Sequence, residues 1–280
     1  MNDPRVALAA IGQLPDVEID IANAALQLGR ADAPHADWRA ARTHLSELAR
    51  DAVALGAEVP AENLEARAAA LASLLAGRHR YGGDDETYDD EANANLIRVV
   101  ERRRGLPVAL GILWLHAARA AGWGAHGVDF PGHFLVALEA DGAPLPAGRL
   151  VLDVFAGGLT LDARDLRALI KRIEGSKAEL RPGLLQPMPA RSVLLRLQNN
   201  LKVRRLRNGE LAEALVCVED MLLIAPDEAG LWREAALMNQ RLDQVAAALH
   251  CLERFLALVP GGDAASRARA AMDELRTRLN

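Results

Sequence analysis

Residues 101–123 read ERRRGLPVALGILWLHAARAAGW, followed by HGVDFPGHFLVAL at 126–138 and LVLDVF at 150–155. Proline suits a first helical position because its missing N–H would have no intrahelical partner there. Gly105 to Pro107 therefore starts a helix, whose apolar run is broken only by His116 and Arg119. Phe134 to Leu138 predicts a buried strand opened by His133, and Leu150 to Val154 predicts a second. Gly142, Pro144, Pro146 and Gly148 lie between them, which predicts an antiparallel pair with a loose connection. That pairing would bring His133 and Asp153 side by side.

A helix start, a histidine and an aspartate in this order match the layout of a cysteine-nucleophile acyl-transfer site. A thiolate at a helix N-terminus is stabilised by unsatisfied N–H groups and the positive end of the dipole. The acid fixes the imidazole tautomer and the imidazole activates the nucleophile. Here the first member is Pro107, so only the His133/Asp153 half of such a triad is present.

The stretch from about Tyr81 to Asp162 carries Tyr88, Asn93, Arg102 to Pro107, Pro131-Gly132-His133 and Asp153. It resembles the transglutaminase-like domain of the SirB family of bacterial proteins, with ERRRGLPVAL and FPGHFLV as its specific motifs. That family joins a helical N-terminal part, a transglutaminase-like core and C-terminal tetratricopeptide-like helices, so the resemblance extends over nearly the whole chain. Active transglutaminases and related cysteine proteases resemble this core with Gly-x-Cys at the helix start. Carried over by position, His133 and Asp153 match and Pro107 replaces the nucleophile. The family name itself points to regulation of gene expression.

Two readings of the pair stand side by side. His133 is either a strand-edge histidine satisfying a core hydrogen bond or a site residue. Asp153, on a buried strand, needs a partner in either case, and His133 or an arginine is expected. His126 and Asp129 flank the turn before His133 and with Asp153 could supply metal ligands, but the spacing matches no standard zinc pattern. No metal and no cofactor is assigned.

At 280 residues the chain can bury a large core, and 51% hydrophobic with 25% charged residues fits a globular protein of one or two domains rather than a disordered one. No stretch approaches a membrane span and the N-terminus lacks a basic-then-apolar signal, so the cytoplasm is expected. Two cysteines, Cys217 and Cys251, imply no disulfide framework. A net charge of −5 gives no general attraction to nucleic acid, and direct binding to it is not expected.

The first eighty residues predict alanine-rich helices at Val17–Leu28, Trp38–Leu55 and Ala61–Ala76, stopped by Gly29, Gly56 and Gly77, with Pro60 in a first turn. His35 and His44 are expected at the surface. Six of the eight residues 84–91, DDETYDDE, are acidic; without calcium-loop spacing they predict a solvated loop. Arg102 to Arg104 could meet these acids or send one arginine toward Asp153.

Aligning Glu210–Pro226 with Gln244–Pro260 gives a shift of 34 residues, with Ala212/Ala246, Leu215/Leu249, Cys217/Cys251, Glu219/Glu253 and Pro226/Pro260 identical. That period, with proline closing the second helix, is the tetratricopeptide signature. Ser192–Asn208 and Gly230–Arg241 supply partner helices and Ala264–Leu279 a terminal cap. The cysteines fall at equivalent places and are expected to be buried packing residues. Arg204, Arg205 and Arg207, with Arg191, Arg196 and Lys202, make the first helix basic and suggest an acidic protein or peptide partner.

These readings combine into an α+β, mostly helical fold. It has an N-terminal helical layer (1–80), a transglutaminase-like, cysteine-protease-like core with a small antiparallel sheet on the Pro107 helix (81–185), and helical repeats (190–280). Two functions follow: a non-thiol binding or regulatory module for a protein or peptide, or a hydrolase of amide or isopeptide bonds that activates water with His133 and Asp153.

Overall fold

The computed structural model describes residues 3–60, 62–140, 142, 148–181 and 183–279. Ala61, Pro144 and Pro146 lie outside these residues. The chain runs through α1 (Pro4–Gly12), α2 (Ile21–Asp32), α3 (Trp38–Glu58) and α4 (Leu64–Ala72), which passes into a π-helical turn at Ser73–Arg78. Then come β1 (Gly82–Gly83), α5 (Leu96–Arg102), β2 (Arg104–Gly105), α6 (Pro107–Ala120), β3 (Gly124–Phe130), β4 (His133–Glu139), β5 (Arg149–Asp153), β6 (Leu159–Leu161), α7 (Ala163–Glu174) and β7 (Pro187–Met188). Helices α8 (Ala190–Arg207), α9 (Leu211–Ile224), α10 (Ala229–Arg241), α11 (Val245–Leu258) and α12 (Gly262–Leu279) complete it. The fold is α+β and mostly helical. Two compact units are formed, one from Pro15–Leu197 and the other from Met1–Leu14 with Gln198–Asn280.

In the larger unit, short polar side chains set the helix starts. Asp20, Asp37, Asn63 and Asn95 each accept from backbone N–H groups of the first turn, and Asp162 with Asp165 forms a reciprocal capping box on α7. Five strands form an antiparallel sheet in the order β6-β5-β4-β3-β7, while β1 and β2 pair in parallel. Helix α6 starts at Pro107 as the sequence predicts. It is buried along most of its length, packing on α2 and α3 and on β3 and β4. Gly111 makes this approach possible: a Cβ there would lie 2.2 Å from the Phe134 ring. On the opposite sheet face, Val128, Leu135, Ala137 and Val151 pack against Leu166, Leu169 and Ile170 of α7. Apolar burial on both faces explains why β4 reads as a continuous hydrophobic run rather than an alternation.

The glycine stops predicted in the N-terminal helices are not stops. Helix α2 runs through Gly29, α3 through Gly56, and the π-helical turn through Gly77. Two of these glycines permit close packing instead. A Cβ at Gly29 would meet Asn95 Oδ1 at 2.8 Å, and one at Gly56 would meet the Ala121 carbonyl oxygen at 2.4 Å. Burial against a neighbour outweighs the glycine propensity cost of about 1 kcal/mol.

In the smaller unit, α9 pairs with α10, α10 with α11, and α11 with α12, as stacked helix pairs. Helix α1, which the sequence reading did not assign, packs on α9. Gly12 lies so close that a Cβ would sit 2.1 Å from the Leu223 carbonyl oxygen, and Arg5 Nε donates to buried Asp220 at 2.8 Å. Cys217 and Cys251 are both buried, with no disulfide between them. Among the described residues, no helix is long and apolar enough to cross a membrane.

Candidate functional site

The register carries His133 to Asp153. Val136 pairs with Leu152, so His133 and Asp153 fall on one sheet face, diagonally across β4 and β5 near the strand ends. The turn Pro131-Gly132, with Gly132 at φ +61°, sets the start of β4. His133 Nε2 lies 3.2 Å from Asp153 Oδ1, both side chains about one-sixth exposed at 17% and 15%. The two atoms are within hydrogen-bond reach, as the sequence predicts, although among the described residues the buried Nε2 has no well-directed partner.

Asp153 has further work. Its Oδ1 accepts from the backbone N–H groups of Phe155 at 3.0 Å and Ala156 at 3.2 Å, closing the turn after β5. Burial raises the Asp153 carboxyl, but His133 and these two N–H groups together draw it below the ordinary value. The aspartate is therefore an anion facing an imidazole, held in place by its own turn.

The motif residues upstream converge on the same region. Asp84 accepts from the Thr87 N–H at 2.9 Å, Thr87 Oγ1 at 2.7 Å and Arg102 Nη2 at 2.9 Å. These bonds, led by those from Thr87, hold its carboxyl below the ordinary range. Arg102 also reaches Asn93 Oδ1, and the Asn93 carbonyl accepts from the N–H of Leu106, the residue before Pro107. The acidic run is thus not simply solvated: buried Asp84 ties it to the start of α6. Its Tyr88 ring stands 6.0 Å from Phe155, which follows Asp153 by two residues and lies against Gly83. A groove of about 770 Å³ opens beside this loop, lined by Arg80, Gly82, Gly83, Asp85, Glu86 and Arg104 among others.

None of the arginines 102–104 bonds to Asp153. Arg103, in the left-handed region at φ +58°, turns instead to Tyr81 Oη and to His44 Nε2, the latter at 2.6 Å. His44 is consequently not the surface residue expected. It is mostly enclosed, with the His79 ring 5.1 Å away, and burial, Arg103 and His79 lower its pKa to about 4. His35 is exposed.

The residue missed by sequence reasoning is Arg196. Its Nη2 donates to the His133 carbonyl at 2.7 Å, its other terminal nitrogen pairs with Asp129, and the guanidinium stands 5.8 Å from the Phe134 ring centre. The charge pattern of α8 counted it with a solvent-facing basic stripe; nothing local marked it as the residue that grips the start of β4.

Pro107 is buried. The other proposed ligands disperse: His126 lies on β3 near Glu139, at 3.7 Å, and Asp129 is engaged by Arg196. Among the described residues no group of three His, Cys, Asp or Glu is placed to hold a metal. The basic stripe of α8 is largely consumed by the fold. Arg204 is 6% exposed and donates to the Asn200 carbonyl. Arg205 reaches the Glu213 carbonyl and Cys217 Sγ, Lys202 pairs with Glu234, and Arg207 is exposed. Arg204 is therefore corrected from a docking side chain to a buried one: its long apolar stem fills the packing between helices while its head finds a carbonyl.

A helix opened at a buried proline, a sheet with His and Asp on adjacent strand ends, and stacked helix pairs define the class: a transglutaminase-like core with helical repeats. The chain belongs to the transglutaminase-like superfamily, whose model matches residues 39–199, and a tetratricopeptide repeat model matches residues 201–277. It is 34% identical over 195 residues to a UPF0162 protein of Xylella fastidiosa, covering 69% of this chain and 68% of that one. A UPF0162 protein of Vibrio cholerae is 28% identical over 257 residues, 92% of this chain and 93% of the relative. The human F-box only protein 21 is 30% identical over 104 residues, 36% of this chain and 17% of its own length. No solved structure gives a significant match.

Proposed function

We propose that the protein is a nucleophile-free transglutaminase-like module that holds a protein or peptide segment at the His133/Asp153 end of its sheet without cleaving it, and that it acts in the cytoplasm as an interaction or regulatory protein. The observation that carries this is Pro107: the helix start that would activate a thiol bears a buried imino acid, and both cysteines are buried in the other unit. The residues that remain suit recognition. Tyr88 and Phe155 offer aromatic faces, Asp153 a fixed carboxylate, and the adjacent groove both signs of charge. Two buried cysteines with no disulfide between them agree with a reducing compartment.

The test is a peptide array probed with the intact chain and with Phe155→Ala and His133→Ala variants, alongside an amide-hydrolysis assay. Peptides captured by the intact chain, weakened in both variants and recovered uncut support the reading. Capture indifferent to both substitutions would reject the sheet end as the site.

A second reading rests on the 3.2 Å approach of His133 to Asp153, which keeps an acid/base pair partly open to solvent. In that reading His133 takes a proton from water attacking an amide carbonyl and returns it to the leaving amine as the C–N bond breaks, while Asp153 stabilises the imidazolium between the two transfers. Cleavage of array peptides, abolished by His133→Ala and retained in a Cys217→Ala/Cys251→Ala double variant, would select it over binding alone.

A further inference from the structure

The smaller unit contains an open apolar pocket of about 410 Å³ that neither the repeat pattern nor the basic stripe of α8 pointed to. Leu222 and Pro226 of the α9 end, Trp232 of α10 and Cys251 of α11 are among its walls. Its volume falls in the range that holds one bulky group. Two polar features make it more than a packing gap. Asn239, 2% exposed, also lines the pocket; its Nδ2 donates to the Ala235 carbonyl at 2.9 Å, while its buried Oδ1 has no donor among the described residues. Buried acceptors are normally satisfied, so an orphan beside a cavity marks a place where a ligand N–H would be welcome.

The second feature is Glu219, the one carboxylate among the described residues lining the pocket, where His250 and Cys251 are the other titratable groups. Burial raises its carboxyl above the ordinary value, with Asp220 adding to this and Arg5 opposing it, so a further cation would relieve it. Among the described residues no lysine or arginine lines the pocket; Arg254 lies nearby, its guanidinium 5.5 Å from the Trp232 ring centre. Cys251 does not offer covalent chemistry, since burial and then Glu219 push its thiol up to about 11.

We infer that this pocket receives a protein segment that inserts one large apolar side chain and carries a basic residue beside it, the apolar group resting on Trp232 and the cation facing Glu219. The partner chemistry is thus the reverse of the acidic segment suggested by the arginines of α8. The reading is independent of the sheet end, because every residue it uses belongs to the smaller unit.

The experiment is fluorescence polarisation of the full chain with two labelled peptide sets, a tryptophan or leucine flanked by lysines and the same residue flanked by glutamates. The lysine set is expected to bind about tenfold or more tightly than the glutamate set. Glu219→Gln should reduce that preference to near parity. Ala247→Trp, placed on an exposed lining residue, should block both sets with the thermal transition unchanged. Equal binding of both sets, a preference for glutamates, binding indifferent to both substitutions, or no binding by either set would each overturn the proposal. So would uptake of free indole with no dependence on neighbouring charge. Because Phe155→Ala leaves this pocket intact, its failure to alter lysine-peptide binding separates this site from the sheet end.

Discussion

The two units keep apart residue types that a thiol enzyme brings together. The larger has a histidine and an aspartate 3.2 Å apart and no cysteine; the smaller has both cysteines, each buried, with the Cys251 thiol pushed up to about 11. Asp153 has a structural role besides facing His133, closing the turn at Phe155 and Ala156. Cys251, its thiol pushed up by burial, packs as a small apolar side chain, whereas Cys217 Sγ accepts from Arg205. The comparison teaches that residue identity carries chemistry only together with its surroundings.

Substitutions in the larger unit should be the more damaging, because its sheet is buried on both faces. Gly158→Ala forces a side chain into φ +91° and places Cβ 2.1 Å from the Trp114 ring. A loss of about 3 kcal/mol or more is expected, read as a lowered thermal transition. An unchanged transition would mean that Trp114 has room to move. Asp153→Ala should cost about 2 kcal/mol by stranding two backbone donors, whereas Asp153→Asn, which keeps an acceptor oxygen, should cost much less. Equal losses would show that the charge facing His133, not the turn, is what the fold uses.

The pH response should also come from the larger unit. His44 has a folded-state pKa near 4, below the ordinary 6.5, so its neutral form favours the folded state. Its contribution is complete above the ordinary value and is lost as pH falls through that interval toward 4. Urea midpoints of the intact chain should decline across this window, and His44→Gln should flatten the decline; an unaltered slope would remove His44 as its source. The smallest effect belongs to the repeats. Gly230, exposed in α10, has only the Glu228 carboxylate near its Cβ direction, at 3.3 Å. Gly230→Ala should leave stability unchanged or raise it by up to about 1 kcal/mol, and a clear loss would indicate a tighter α10 surface than the packing shows.

Much of the architecture was legible because it rests on local rules. Proline at N1 placed α6, the apolar run after His133 placed β4, and a 34-residue period placed the repeat helices. The diagonal meeting of His133 with Asp153 followed from pairing two strands. What was not legible depends on distant contacts. Gly29 and Gly56 read as helix stops because the Asn95 and Ala121 groups packed against them lie far along the chain. Arg204 read as surface charge because a helix face alone does not say what will cover it. Arg196, His44 and the Asn239 pocket have no local motif and emerge only when separate elements come together.

The central claim is that the transglutaminase-like core works without a thiol. The most direct measurement is intact-mass analysis after exposing the protein to an electrophilic glutamine analogue, in parallel with assays of amine incorporation and amide hydrolysis for the intact chain and the Cys217→Ala/Cys251→Ala double variant. The account predicts no covalent adduct on the native chain and indistinguishable assay results for the two forms. An adduct on either cysteine, or turnover lost when both are replaced, would contradict it.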